Sequence, residues 1–128
     1  LAAALLTGAS LGVAGVLLQA VIRNPLGEPH ILGLNAGAAL AVVAASALGL
    51  AFPVGRPLLA STGGALLFLL ILLLSSAGRS GLTPMKVTLC GVALSAFVSS
   101  ITAAILILDE QTLLAMRTWL AGDLAGQD

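Results

Sequence analysis

The chain has 128 residues, 59% of them hydrophobic, and its ten charged side chains balance to a net charge of zero. With 8% charged residues, against roughly 25% in soluble domains, it has too little polar surface to face water all round, which excludes an ordinary water-soluble fold. Neutrality leaves no basic footprint for nucleic acid, and a single cysteine, Cys90, provides neither a disulfide framework nor a thiolate metal cluster.

The charges avoid whole stretches: residues 1–22, 29–55, 57–78 and 87–108 contain no Asp, Glu, Lys or Arg. Each stretch is long enough for a bilayer span, which takes about 20 apolar residues. A charge at the centre of a membrane helix costs roughly 2.5–3.5 kcal/mol, so its absence is what a span requires. The mean hydropathy of +1.17 agrees. Barrel strands would alternate polar and apolar residues over about 10 residues. These runs do not, and a helix satisfies its own backbone groups in lipid. The expected fold is an all-α polytopic helical bundle in the membrane.

The first span covers about 1–22. It begins at Leu1 with no basic segment before it and no small-residue cleavage site after it, so it reads as a span rather than a leader. The chain is therefore expected to be an internal piece of a longer protein. Gly8 and Gly12, four residues apart, form a small-residue pair that lets helix backbones approach, as do Gly33 and Gly37 later. Gln19, one turn from the end of the span, is placed for a hydrogen bond between helices.

A hinge follows, Arg23-Asn24-Pro25-Leu26-Gly27-Glu28-Pro29-His30, in which Pro25 and Pro29 break the helix. It reads either as a mouth that contacts a partner or as a solvated loop anchored by Arg23. His30 has no neighbouring co-ligands and reads as structural. The second span covers about 31–52, the third about 57–77 and the fourth about 86–108. Phe52-Pro53-Val54-Gly55-Arg56-Pro57 joins the second to the third, and Ser76 to Pro84 joins the third to the fourth. Four crossings put Arg23, Arg79 and Lys86 on one side and Arg56 and Arg117 on the other. The positive-inside rule assigns the first group to the cytoplasm.

On the fourth span Thr88, Gly91, Ser95, Ser99 and Thr102 recur every three or four residues and so share one side of a helix. The stripe fits a water-lined path. It equally fits a packing seam whose hydroxyls bond to carbonyls one turn back. Cys90 in the same span reads as a small packing residue. After Leu108 the character changes. Asp109-Glu110-Gln111-Thr112 resembles a helix start, because acids complement the dipole there, and Leu113, Met116 and Leu120 follow at helical spacing. A short surface helix over about 110–121, with Trp119 at headgroup level, is one reading and the start of another span is the other; the two are compatible.

The chain contains no Gly-x-x-x-x-Gly-Lys-Ser/Thr loop and no nucleophile–base pair or carboxylate dyad. No catalytic or metal-ligating residue and no cofactor is expected, and any ATP that drives the protein must bind another chain.

Three runs carry a resemblance. The first is Gly15-Val16-Leu17-Leu18-Gln19, with Arg23-Asn24-Pro25-Leu26-Gly27-Glu28-Pro29 and Ile31-Leu32-Gly33-Leu34-Asn35-Ala36-Gly37-Ala38. The second is Leu89-Cys90-Gly91-Val92-Ala93-Leu94-Ser95, and the third is Trp119-Leu120-Ala121-Gly122-Asp123-Leu124-Ala125-Gly126. Together they resemble the permease subunits of the FecCD/BtuC type, from ABC importers of iron-siderophores, haem and cobalamin. The resemblance covers almost the whole chain; Gly27 stands where alanine is usual, and Asp123 where a serine or another small residue is more frequent.

The resemblance implies a ten-span subunit of the bacterial inner membrane, of which this chain covers the second to fifth spans and the approach to the sixth. It implies a homodimer or heterodimer of permease subunits, two cytoplasmic ATPase subunits and a periplasmic binding protein as partners. It makes the hydroxyl stripe, Thr88, Ser95, Ser99 and Thr102, a candidate translocation path. It places Asn24 and Leu26, with Thr83, Pro84 and Met85, at the cytoplasmic mouth. The segment after Asp109 becomes a short periplasmic helix. Two other classes compete: a secondary transporter driven by an ion gradient, which usually carries an ionisable residue inside the membrane, and a non-transporting membrane scaffold.

Overall fold

A computed structural model describes residues 1–23, 25, 28, 30–50, 55–79 and 81–121, with backbone alone for Val21 and 118–120. Among the described residues five helices follow one another: α1 (Ala2–Ile22), α2 (Leu34–Ala47), α3 (Gly55–Ser76), α4 (Pro84–Leu108) and α5 (Glu110–Leu120). No strand occurs among the described residues. The chain divides into two compact units, one holding α1 and the other, His30–Asp123, holding α2 to α5.

In the first unit, α1 is 21 residues long, about 31 Å at 1.5 Å per residue, which matches a hydrocarbon core of about 30 Å. Leu5, Leu6, Leu11, Val13 and Leu17 spread around its circumference, so it has no polar face to turn to water. Arg23 ends it in the left-handed region (φ 53°), its N–H bonded to the Gln19 carbonyl. Pro25, two residues on, keeps the helix from resuming.

In the second unit α3 runs antiparallel to both α2 and α4. The α2–α3 contact is a glycine crossing. A Cβ on Gly37 would run into the Gly63 carbonyl oxygen, one on Gly63 into the Ala41 side chain, and one on Gly64 would stand 2.8 Å from the Leu34 carbonyl oxygen. Only glycine lets these backbones approach so closely, and lipid gives helices no hydrophobic reason to associate, so close packing supplies the attraction. Beside the crossing, Ala36, Leu67, Ile71 and Val98 form one buried cluster. Val42, Val43 and Met116 form a second, which ties α5 to α2.

The helix inside the expected 31–52 span is shorter than the hydropathy indicates. α2 has 14 residues, about 21 Å, whereas α3 with 22 and α4 with 25 measure about 33 and 37 Å. Among the described residues three helical stretches, Ala2–Ala20, Gly55–Ser76 and Pro84–Leu108, are long and apolar enough to cross a membrane, while Leu34–Ala47 is apolar but short. The reason lies in two glycines. Gly33 (φ 74°) closes a turn through its N–H to the His30 carbonyl and delays the start of α2; Gly49 (φ 65°) follows its end. The turn lies level with Ile71 and Gly91, about 8–10 Å inside the near ends of α3 and α4. Irregular backbone is tolerated at such depth only when protein surrounds it, and Leu32 and Gly33 are buried.

Candidate functional site

The stripe on α4 divides into two parts. Gly91, Ser95, Val98 and Thr102 are the buried residues of this helix. Gly91 lies directly on the Ile31 carbonyl, where any Cβ would collide. Ser95 is 7% exposed, and its Oγ is the buried side-chain oxygen left without a partner among the described residues. Thr102 is 8% exposed and donates from Oγ1 to the Val98 carbonyl at 3.0 Å.

Thr88 and Ser99 are exposed. The Thr88 hydroxyl donates to the Pro84 carbonyl at 2.9 Å. Ser99 borders a shallow groove of about 210 Å³ between α2 and α4, with Ala36, Ala39, Thr102, Ala103 and Leu106. Thr88 and Thr102 have their donors committed to carbonyls one turn back and offer only weak acceptors. Such a surface is smooth, slightly polar and uncharged. Ser100, which the stripe does not include, is also exposed and donates to the Ala96 carbonyl at 2.9 Å; it lies one position beyond the period that singled out the others.

At one end of this unit the α3–α4 corner carries Thr83, Pro84 and Met85. Thr83 is extended (φ −122°, ψ 149°) and caps α4, its Oγ1 accepting the Lys86 N–H at 3.4 Å, with Pro84 in the first turn where its missing donor costs nothing. Pro84 is exposed, and Met85 is 74% exposed, a large apolar side chain standing clear of its own unit. Asn24 and Leu26, the other two candidate mouth residues, lie outside the described residues. So does 122–126 of the tryptophan-glycine run, and the Trp119 side chain is not described.

At the opposite end the α4–α5 junction borders an open cleft of about 610 Å³, lined among others by Ser46, Arg56, Asp109, Gln111 and Thr112. Arg56 thus falls at the end of this unit opposite Lys86. Asp109 starts α5: Oδ1 accepts the N–H groups of Gln111 (3.1 Å) and Thr112 (3.2 Å), and Oδ2 accepts the Thr112 hydroxyl at 2.6 Å. The Thr112 hydroxyl above all, then the backbone N–H groups, hold the Asp109 carboxyl below its ordinary range. Met116, with no exposed surface, anchors α5, and the Ser46 hydroxyl lies 3.9 Å from its sulfur. Cys90 packs half-buried beside the Ala36 cluster, and His30 is exposed in its turn. No group of three or more His, Cys, Asp or Glu residues suited to a metal occurs among the described residues.

Comparison with known proteins adds the relatives. The FecCD transport family model matches residues 1–128. The Fe(3+) dicitrate transport system permease protein FecD of Escherichia coli (strain K12) is 44% identical over 126 residues, 98% of this chain and 38% of the relative. The probable siderophore transport system permease protein YfiZ of Bacillus subtilis (strain 168) is 40% identical over 125 residues, 97% of this chain and 38% of its own length. The vitamin B12 import system permease protein BtuC of Serratia proteamaculans (strain 568) is 39% identical over 128 residues, again 98% and 38%. The chain therefore spans less than two fifths of the length of these relatives.

Proposed function

This chain belongs to the FecCD transport family, and from that premise we propose that it is part of the permease subunit of a binding-protein-dependent ABC importer in a bacterial inner membrane. The observation that carries the reading is the family match over residues 1–128, joined to relatives named as permease proteins of import and transport systems. The three long apolar helices make it a multi-pass membrane protein. The proposed assembly pairs two permease subunits, identical or related, with two cytoplasmic ATPase subunits and a periplasmic binding protein. ATP hydrolysis belongs to the partner chains.

The proposed path runs along the hydroxyl side of α4. Thr88 and Ser99 present its surface, while Ser95 and Thr102 stand behind them against α2. An uncharged surface on which the Thr88 hydroxyl is already committed to the Pro84 carbonyl binds nothing tightly, and weak contacts suit a path that must release its cargo. Thr83, Pro84 and Met85 belong to the proposed cytoplasmic mouth, to which the family resemblance adds Asn24 and Leu26; Arg79 and Lys86 on the α3–α4 corner agree with that side. ATP drives the cycle only if nucleotide binds one helix arrangement better than the other, since a ligand shifts states through differential affinity alone.

Ferric siderophore is the proposed cargo. Relatives of nearly equal identity are named for siderophore, ferric citrate and vitamin B12. Selection among cargoes therefore belongs to the binding protein, and these residues serve machinery common to all of them. The absence of Asp, Glu, Lys and Arg from the four apolar runs argues against an ion-coupled carrier. The test is uptake of labelled ferric siderophore, haem and cobalamin by the complete complex in proteoliposomes. ATP-dependent accumulation of the first supports the proposal, accumulation of another corrects the cargo, and accumulation driven by an ion gradient without ATP overturns it.

A further inference from the structure

We propose that Lys86 is the positioning residue of the mouth, clasping the α3–α4 corner so that Thr83, Pro84 and Met85 move as one body with both helices. This rests on the reading of that corner as the mouth. Every polar group of Lys86 is engaged, each with a different part of the corner. Its Nζ donates to the Ala77 carbonyl at 3.2 Å and to the Gly81 carbonyl at 3.0 Å. Its N–H donates to Thr83 Oγ1 at 3.4 Å. Its carbonyl accepts the hydroxyl of fully buried Ser75 at 3.4 Å. One residue thus joins the last turn of α3, two points on the connecting loop and the cap of α4.

The chemistry favours a cation here. Ala77 directly follows α3, where unpaired carbonyls and the negative end of the helix dipole gather. The loop turns its carbonyls toward the ammonium group. Gly78 (φ 98°) and Gly81 (φ 63°) take the backbone through the left-handed region, and the carbonyls of Ala77 and Gly81 reach Nζ. A rim that opens and closes as helices rock must be stiff, because a slack loop absorbs the motion without transmitting it. Met85 is the neighbour in sequence and extends outward from the clasp.

The experiment uses the complete importer in proteoliposomes and has two arms. In the first, Met85→Cys is modified with a bulky maleimide. Loss of uptake supports the mouth reading, and unchanged uptake overturns that reading and the role of Lys86 with it. In the second, K86M and K86R are compared, with uptake normalised to assembled complex. K86M keeps the length of the side chain and removes its donors; the expected result is uptake about tenfold lower, the scale set by loss of charge-assisted hydrogen bonds, with ATP consumed per cargo molecule raised by a similar factor. K86R, still cationic and rich in donors, is expected within about twofold of the parent. A merely structural role would reduce the amount of complex and leave ATP per cargo unchanged; that outcome, or parental behaviour of K86M, overturns the proposal while leaving the first arm standing. If K86M does not assemble, the shorter, uncharged K86Q is read in the same way.

Discussion

One side of α4 carries the same kinds of residue in two different surroundings. Toward α2 stand Gly91, Ser95 and Thr102, packed so closely that a methyl group at 91 has no room. Thr88, near the start of the helix, and Ser99, at the edge of the covered strip, are exposed. Small size serves packing at the covered positions and a smooth surface at the open ones. The lesson is that a hydroxyl in a membrane helix is not in itself a sign of a path; what decides is whether a neighbouring backbone covers it.

Substitutions can break this contrast in order of size. Gly91→Leu drives four carbons into the Ile31 carbonyl, where no flexible side chain can yield. It is expected to destabilise the subunit by more than about 3 kcal/mol and abolish assembly, read as loss of the monodisperse complex in detergent. Ser99→Trp, on the open side, is expected to leave the thermal midpoint of the complex close to the parent, a change within about 0.5 kcal/mol, while blocking uptake. Ser95→Trp is no substitute for that test, because it would overfill a buried position and fail on the packing side.

The α4–α5 junction sharpens the comparison through pH. The Asp109 carboxyl is held low by the Thr112 hydroxyl and by backbone N–H groups, so its stabilising contribution is fully present above the ordinary carboxylate range. It is lost as pH falls through that range toward the lowered value. Asp109→Asn is expected to lower the thermal midpoint at neutral pH and to flatten its acid dependence, measured by unfolding scans of the complex between neutral and acid pH. The smallest effect is expected at Ser95. Its unpartnered hydroxyl is a burden, so Ser95→Ala should be neutral or stabilise by up to about 1 kcal/mol, with uptake retained.

Charge-free runs revealed α1, α3 and α4 because lipid requires them. The Asp109–Thr112 start of α5 was legible because a helix N-terminus favours acids. The short extent of α2 was hidden, since hydropathy averages across Gly33 and Gly49 while their positive φ angles end the helix. The pair Gly33 and Gly37 stood out by spacing, but Gly63, which faces Gly37, and Gly64, which faces Leu34, did not, because adjacency in the chain says nothing about a crossing helix. Periodicity gathered Thr88, Ser95, Ser99 and Thr102 on one side of α4. It could not divide them, because the dividing line is drawn by α2 and by the Ile31 carbonyl, neither of which helical spacing contains. Nor did composition single out Lys86, whose role depends on carbonyls that carry no side-chain signature.

Ser99 is proposed to meet the cargo's path, whereas Ser95, one turn away, is covered by the fold. Maleimide labelling of Ser99→Cys and Ser95→Cys, each in the complete importer with other cysteines removed, separates the two positions. Rapid labelling at 99 that changes when ATP is bound is expected, and none at 95 in any state. Equal labelling of both, or labelling of 95 alone, would contradict the proposal.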